Sequence, residues 1–233
     1  FKFLNEDENY KIYTSKYYNI IHNGILHLSK KEVNKKSLII YFQGHGGNPH
    51  KHEYFNKLKK HYLKKGYDIF ALAMSDRGYN KISDMNFPGI DTSISGHAIF
   101  KNFYDPKYPK KKPLSLMLSG NYYLIKNLIN NSDYKEIVMI GNSGGGWYAT
   151  MLAAIMPEIG KSFSFAGTIP MILRVFPDNR GDWEQEDSEI YNHLDYWHLY
   201  KLSTLDENYE KNRVHFQIYN KKERLLSSNL SKI

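Results

Sequence analysis

One stretch constrains the fold of this chain more than any other: "IVMIGNSGGGWYATMLAAIMPEI", from Ile137 to Ile159. Its apolar start reads as a strand buried on both faces, and its later part, "GWYATMLAAIM", reads as a helix closed by Pro157. Between them Gly141, Gly144, Gly145 and Gly146 surround Ser143. A strand that turns into a helix across so few residues belongs to a sheet with helices laid against it.

The rest of the chain repeats that alternation. "SLIIYFQ" (37–43) and "YDIFALAM" (67–74) read as buried strands, and between them Tyr54, Phe55, Leu58 and Tyr62 recur at helical spacing until Gly66. Leu114, Met117, Leu118, Tyr122, Ile125 and Leu128 mark one helical face over 114–130. "SFSFAG" and "RVHFQIY" supply two further strands. Near the start, "YYNIIHNGILHLS" carries apolar residues either side of Asn23-Gly24, which predicts an antiparallel hairpin turning at that dipeptide. The expected fold is α/β: a mainly parallel, doubly wound sheet flanked by helices, with an antiparallel N-terminal hairpin. One domain over 1–233 is expected, with 170–212 as a small cap or a long crossover. No internal repeat and no low-complexity tract is present.

At 233 residues and 41% hydrophobic content the chain can bury a proper core. No apolar run approaches the roughly eighteen residues of a membrane span, and the N-terminus lacks the apolar stretch of a signal peptide. The chain therefore reads as soluble. Cytoplasmic placement is the first expectation, although the absence of cysteine fits either redox compartment. The first residue is Phe, as in a processed or partial product. The net charge of +8 is spread over small lysine clusters, "KKEVNKK", "KLKKHYLKK" and "PKKKP", which reads as a solvated basic surface. Without zinc-finger spacing, an RNP-like aromatic motif or a helix-turn-helix, no nucleic-acid partner is expected.

Gly141-Asn142-Ser143-Gly144-Gly145 matches G-x-S-x-G in the strand-turn-helix context that motif requires. Such a turn holds the serine hydroxyl above the sheet edge, beside the N–H groups that open the next helix, where negative charge on a substrate oxygen is stabilised. A phosphate loop needs Lys-Ser or Lys-Thr after its last glycine, but Trp147 and Tyr148 follow Gly146. A dinucleotide loop fails because "GNSGGG" lacks its second glycine. A plain tight turn is the bland alternative. No cofactor is expected.

With these pieces in order, the chain resembles the α/β-hydrolase superfamily from about Ser37 to Glu223, with the serine elbow most like those of esterases and prolyl-oligopeptidase-like hydrolases. "YFQGHGGN" resembles the family's oxyanion loop. That resemblance implies Gly46 and Gly47 as partners of the Gly144 amide, with His45 orienting the loop rather than acting as a base. "MSDRGYNKIS" is similar to the family's D-x-R-G-x-G-x-S segment, although Asp76 directly precedes Arg77 and Asn80 replaces the second glycine. "AGTIP" and Arg174 are similar to a bacterial group of esterase-like members. The implied activity is a serine hydrolase cleaving an ester, on a small molecule or attached to a glycan. A prolyl-oligopeptidase-like peptidase and a non-catalytic binding module on a hydrolase scaffold are the alternatives.

A serine hydroxyl needs a histidine to take its proton and a carboxylate to orient that histidine. The family's order, serine then acid then histidine, puts Glu223 in "HFQIYNKKERL" at the acid position, with Asp182 second among Asp178, Asp182, Glu184 and Asp187. After Ser143 come His193, His198 and His215, none in the expected loop, and so few residues follow Glu223 that the histidine is expected beyond residue 233. His45, His50 and His52 lack the H-E-x-x-H spacing of a zinc site, so no metal is expected. His97 either lines the cleft or sits in a loop anchored by Phe100 and Phe103. Trp147 is expected to pack beneath the elbow, and the abundance of tyrosine reads as compositional bias. The sequence leaves the oligomeric state open.

Overall fold

The computed structural model describes residues 9–17, 20–33, 36–80, 100, 113–174, 181–185, 187–206 and 212–219. Seven strands form one sheet: β1 (Tyr10–Tyr17), β2 (Ile20–His27), β3 (Ser37–Gln43), β4 (Tyr67–Ala73), β5 (Glu136–Asn142), β6 (Lys161–Phe165) and β7 (Val214–Ile218). Their spatial order is β1-β2-β4-β3-β5-β6-β7, antiparallel at β1, β2 and β4 and parallel from β4 to β7. The helices are α1 (Glu53–Lys65), α2 (Pro113–Asn130), α3 (Gly144–Ile155), α4 (Ser188–Tyr191) and α5 (Tyr196–Leu202).

Alternate residues of the central strands divide between two cores, as a period of two dictates. Ile39 and Tyr41 of β3, with Ile69 and Ala71 of β4, face α1 and pack against Phe55. Leu38, Ile40 and Phe42, with Phe70 and Leu72, face the larger core built by Met117, Leu124 and Ile125 of α2 and Trp147, Tyr148 and Leu152 of α3. Burial on both faces is why these strands read as continuous apolar runs. Helix α1 stops at Gly66, whose φ of 95° is left-handed and whose N–H returns to Leu63 and Tyr62.

The antiparallel pair forms, but its turn is elsewhere. β2 runs straight through Asn23-Gly24, with Gly24 opposite both Tyr13 and Leu72, and the β1–β2 pairing closes at Tyr17 and Ile20. Close packing, not a turn, requires Gly24: a Cβ there would sit 2.3 Å from Phe70 Cζ. Asn23 is used across the sheet, its N–H donating to Asn80 Oδ1 at 2.8 Å and its amide to Tyr79 O at 3.3 Å. This secures the loop after β4.

Part of the segment between β6 and β7, at α4 and α5, returns against α3. Trp147 Nε1 donates to Tyr191 OH at 2.9 Å, and Tyr196 OH donates to Tyr191 OH at 2.7 Å. The Arg213 guanidinium is buried at the start of β7 and donates to the carbonyls of Ala153, Met156 and Ile159 behind α3 and of Leu202 and Leu205 behind α5. One side chain thus satisfies the orphan carbonyls at two helix ends. Among the described residues no helix is long and apolar enough to cross a membrane.

Candidate active site

Strand β5 lies inside the sheet between β3 and β6, and the turn that leaves its carboxyl end carries Ser143. This residue has φ 55° and ψ −128°, outside the regions a side chain normally tolerates. Three backbone bonds hold it there: Ser143 N–H donates to Phe165 O at 2.8 Å, and Ser143 O accepts from Gly146 N–H at 2.7 Å and Trp147 N–H at 3.2 Å. The glycines around it permit the crowding. A Cβ on Gly141 would lie 2.0 Å from Gly145 O, and one on Gly145 would lie 2.3 Å from Phe42 O. The serine is exposed, whereas every residue of the first two turns of α3 is buried. Among the described residues no group hydrogen-bonds its hydroxyl.

The loop after β3 meets this turn. Gly44 is so close that a Cβ would approach Asn142 O at 2.5 Å and Ser143 Cβ at 2.9 Å. Beneath the loop, Gln43 Oε1 accepts from Tyr54 OH at 2.6 Å and Tyr41 OH at 3.0 Å, and Asn142 Nδ2 donates to Tyr54 OH at 3.4 Å. This network ties the two loops together. The sequence signal for it was one polar residue closing an apolar strand. Gly47 N–H is engaged within its own turn, donating to Gly44 O at 2.9 Å. Gly46 has no such commitment among the described residues, and His52 Nε2 lies 3.3 Å from its carbonyl. The Gly144 amide opens α3 and likewise meets no described acceptor.

Beside the loop is a cavity of about 450 Å³, lined by His45, Gly46, Asn48, Lys51, Arg77 and Tyr79 among others. His45 Nε2 lies 3.1 Å from Asp182 Oδ2, and Glu184, fully buried, brings a third polar group so that all three lie within 4.8 Å of one another. The set is one imidazole and two carboxylates, chemically able to relay a proton or to hold a divalent cation.

The other expected residues fall as follows. His215 is a packed strand residue: Nδ1 meets Ser162 Oγ at 2.6 Å, Nε2 meets Gln217 Nε2 at 2.7 Å, and burial pushes its pKa down to about 4. His198 accepts from Asp195 N–H in the capping box of α5, and His193 is exposed after α4. His50 is paired to His27 at 2.8 Å and to Asn48. Trp147 is fully buried behind the elbow. Glu223, Asp178, His97 and Phe103 lie outside the described residues, as does any continuation past residue 233.

No family model and no curated protein matches the chain. Solved structures do. Acetyl xylan esterase 1 from Thermoanaerobacterium sp. JW/SL YS485 superposes with a TM-score of 0.53 at 16% identity, covering 84% of this chain and 67% of that one. Est1E from Butyrivibrio proteoclasticus with ferulic acid bound (TM-score 0.48, 17% identity, 86% and 74% covered) and the Pyrococcus furiosus esterase Pf2001 (0.48, 16%, 82% and 57%) are similar. The chain spans 50 to 74% of the length of the first solved structures it matches. Seven strands in this order, the flanking helices and the superposition on acetyl xylan esterase 1 give the chain the α/β-hydrolase fold.

Proposed function

We propose that this chain, with its α/β-hydrolase fold, is a serine hydrolase that cleaves carboxylic esters through Ser143. The observation that carries the reading is a strained serine whose exposed hydroxyl stands at the carboxyl edge of a parallel sheet, where the first amide of α3 has no other described use. Strain of this kind, on the order of 1–3 kcal/mol, persists only where surrounding structure enforces it.

In the proposed reaction Ser143 Oγ attacks the ester carbonyl and its proton passes to a base. The oxyanion lies between the N–H groups of Gly144 and Gly46, with Gly47 shaping the turn through its bond to Gly44. Collapse expels the alcohol, which takes the proton back, and water then releases the acid from the acyl-serine by the same steps. Nothing in this sequence needs a cofactor. The structural likeness to an acetyl xylan esterase supports a small acyl group on a hydroxylated or glycan-linked alcohol as the first substrates to try.

The test is hydrolysis of p-nitrophenyl acetate and of acetylated oligosaccharides by the chain and by Ser143→Ala. The expected result is turnover that falls on the order of 10³-fold or more with the substitution. Equal rates for the two proteins would end the proposal.

A further inference from the structure

We infer that Tyr54 is a positioning residue for ester cleavage, its hydroxyl holding the loop that carries the Gly46 amide in register with the turn that carries Ser143 and the Gly144 amide. The inference rests on the serine-hydrolase reading above.

An oxyanion hole built from two loops has a particular weakness. Each donor must come within roughly 2.7–3.1 Å of one oxygen, and it helps most when already in place as charge develops. The Gly144 amide opens α3 and is fixed by that helix. The Gly46 amide lies on the loop after β3 and meets no described acceptor. Its position is therefore set by the groups that lie against it.

A Cβ on Gly46 would stand 2.8 Å from His52 Nε2 and 3.1 Å from Gln43 Nε2. Both of these side chains lead to Tyr54. Gln43, buried at the end of β3, accepts from Tyr54 OH at 2.6 Å. The His52 ring, whose Nε2 is 3.3 Å from Gly46 O, packs against the Tyr54 ring with centroids 5.2 Å apart. The same hydroxyl accepts from Asn142 Nδ2 at 3.4 Å, and Asn142 immediately precedes Ser143. A phenol has one proton to donate and lone pairs to accept with, so this one hydroxyl can serve both loops at once.

Tyr54 stands in the first turn of α1, so its backbone is anchored outside both loops. Its side chain is 45% exposed, and burial of the ring explains little of its placement. Tyr41 is the contrast: it is buried, its ring lies 4.8 Å from that of Phe55, and its hydroxyl ends on the same Gln43 oxygen at 3.0 Å. Two phenols thus occupy the oxygen end of the Gln43 amide, which turns the nitrogen end toward Gly46. Without the Tyr54 hydroxyl, Gln43 keeps only its bond to Tyr41, and the link to Asn142 is gone.

The experiment uses the full chain as wild type, Tyr54→Phe, Tyr54→Ala, Tyr62→Phe and Ser143→Ala. Labelling to completion with a fluorophosphonate counts reactive serines, so that rates are expressed per active site. Ester hydrolysis is measured beside inhibition by a trifluoromethyl ketone, which forms a tetrahedral oxyanion on a reactive serine. Tyr54→Phe keeps the ring against His52 and removes both hydroxyl bonds. Its kcat should fall roughly 3–10-fold with KM unchanged, and the inhibitor should weaken by the same factor. Tyr54→Ala also removes the ring, and its loss should approach roughly 10²-fold. Tyr62→Phe, further along α1, removes a hydroxyl with no hydrogen bond among the described residues and should match wild type. If wild type is active and Ser143→Ala is dead while Tyr54→Phe keeps wild-type kcat and inhibitor affinity, the inference is overturned and the hydrolase reading stands. A rise in KM alone also overturns it, because Tyr54 would then touch substrate. So does a loss of reactive serines at an unchanged rate per serine, which is what mere support of the fold would give. If wild type has no Ser143-dependent activity, the hydrolase reading fails and the Tyr54 assignment goes with it.

Discussion

Replacing the proposed nucleophile with glycine should stabilise the fold relative to replacing it with alanine. Glycine in ordinary backbone positions costs roughly 0.4–1 kcal/mol relative to alanine, because it frees the unfolded chain. Residue 143 is not ordinary: at φ 55° and ψ −128° any Cβ is strained, by on the order of 1–3 kcal/mol. Alanine keeps that strain and glycine removes it, so the difference should favour Ser143→Gly by about 1 kcal/mol. In a domain of this size that is a rise of roughly 2–4 °C in Tm over Ser143→Ala. Thermal unfolding of the two variants measures it, with Ala154→Gly inside α3 as the control expected to lose about 1 kcal/mol. Should Ser143→Gly melt below Ser143→Ala by the usual glycine penalty, the elbow stores no strain and the argument from conformation collapses.

Gly145→Ala puts a methyl 2.3 Å from Phe42 O, backbone that cannot rotate away, and should cost about 1–3 kcal/mol in urea unfolding along with most of the activity. Arg213→Ala strands carbonyls behind both α3 and α5 and should lower stability by roughly 3 kcal/mol or more, seen as a lower urea midpoint. Acid should weaken the fold before carboxylates matter. Burial lowers the His22 pKa to about 4 from 6.5, so between those values the unfolded chain binds a proton that the folded one refuses. The His22 contribution is thus full above pH 6.5 and falls by about 3 kcal/mol as the pH drops to 4, alongside those of buried His27 and His215, and His22→Gln should remove its share of the slope in urea titrations.

The central sheet was legible because its strands are buried on both faces, which leaves runs such as Leu38 to Phe42 with no polar interruption. The tight turn at Ser143 was legible for a different reason: the crowding of Gly141 and Gly145 against neighbouring backbone excludes nearly every other residue. Asn23-Gly24 misled because glycine answers two demands, a positive φ or a close neighbour, and here Phe70 across the sheet made the second one. Gly46 and Gly47 could not be told apart in sequence, since the 2.9 Å bond from Gly47 N–H to Gly44 O depends on the path of the turn. His45 and Asp182 stand far apart in the chain and meet only because the segment after β6 returns over the carboxyl edge of the sheet. No local pattern records such a meeting.

The most direct measurement is mass mapping of the folded chain after treatment with a fluorophosphonate, which reports whether one serine hydroxyl is activated. The account predicts a single adduct on the peptide containing Ser143, and none on correctly folded Ser143→Ala. A folded wild-type protein that takes up no label, or takes it up elsewhere, would contradict it.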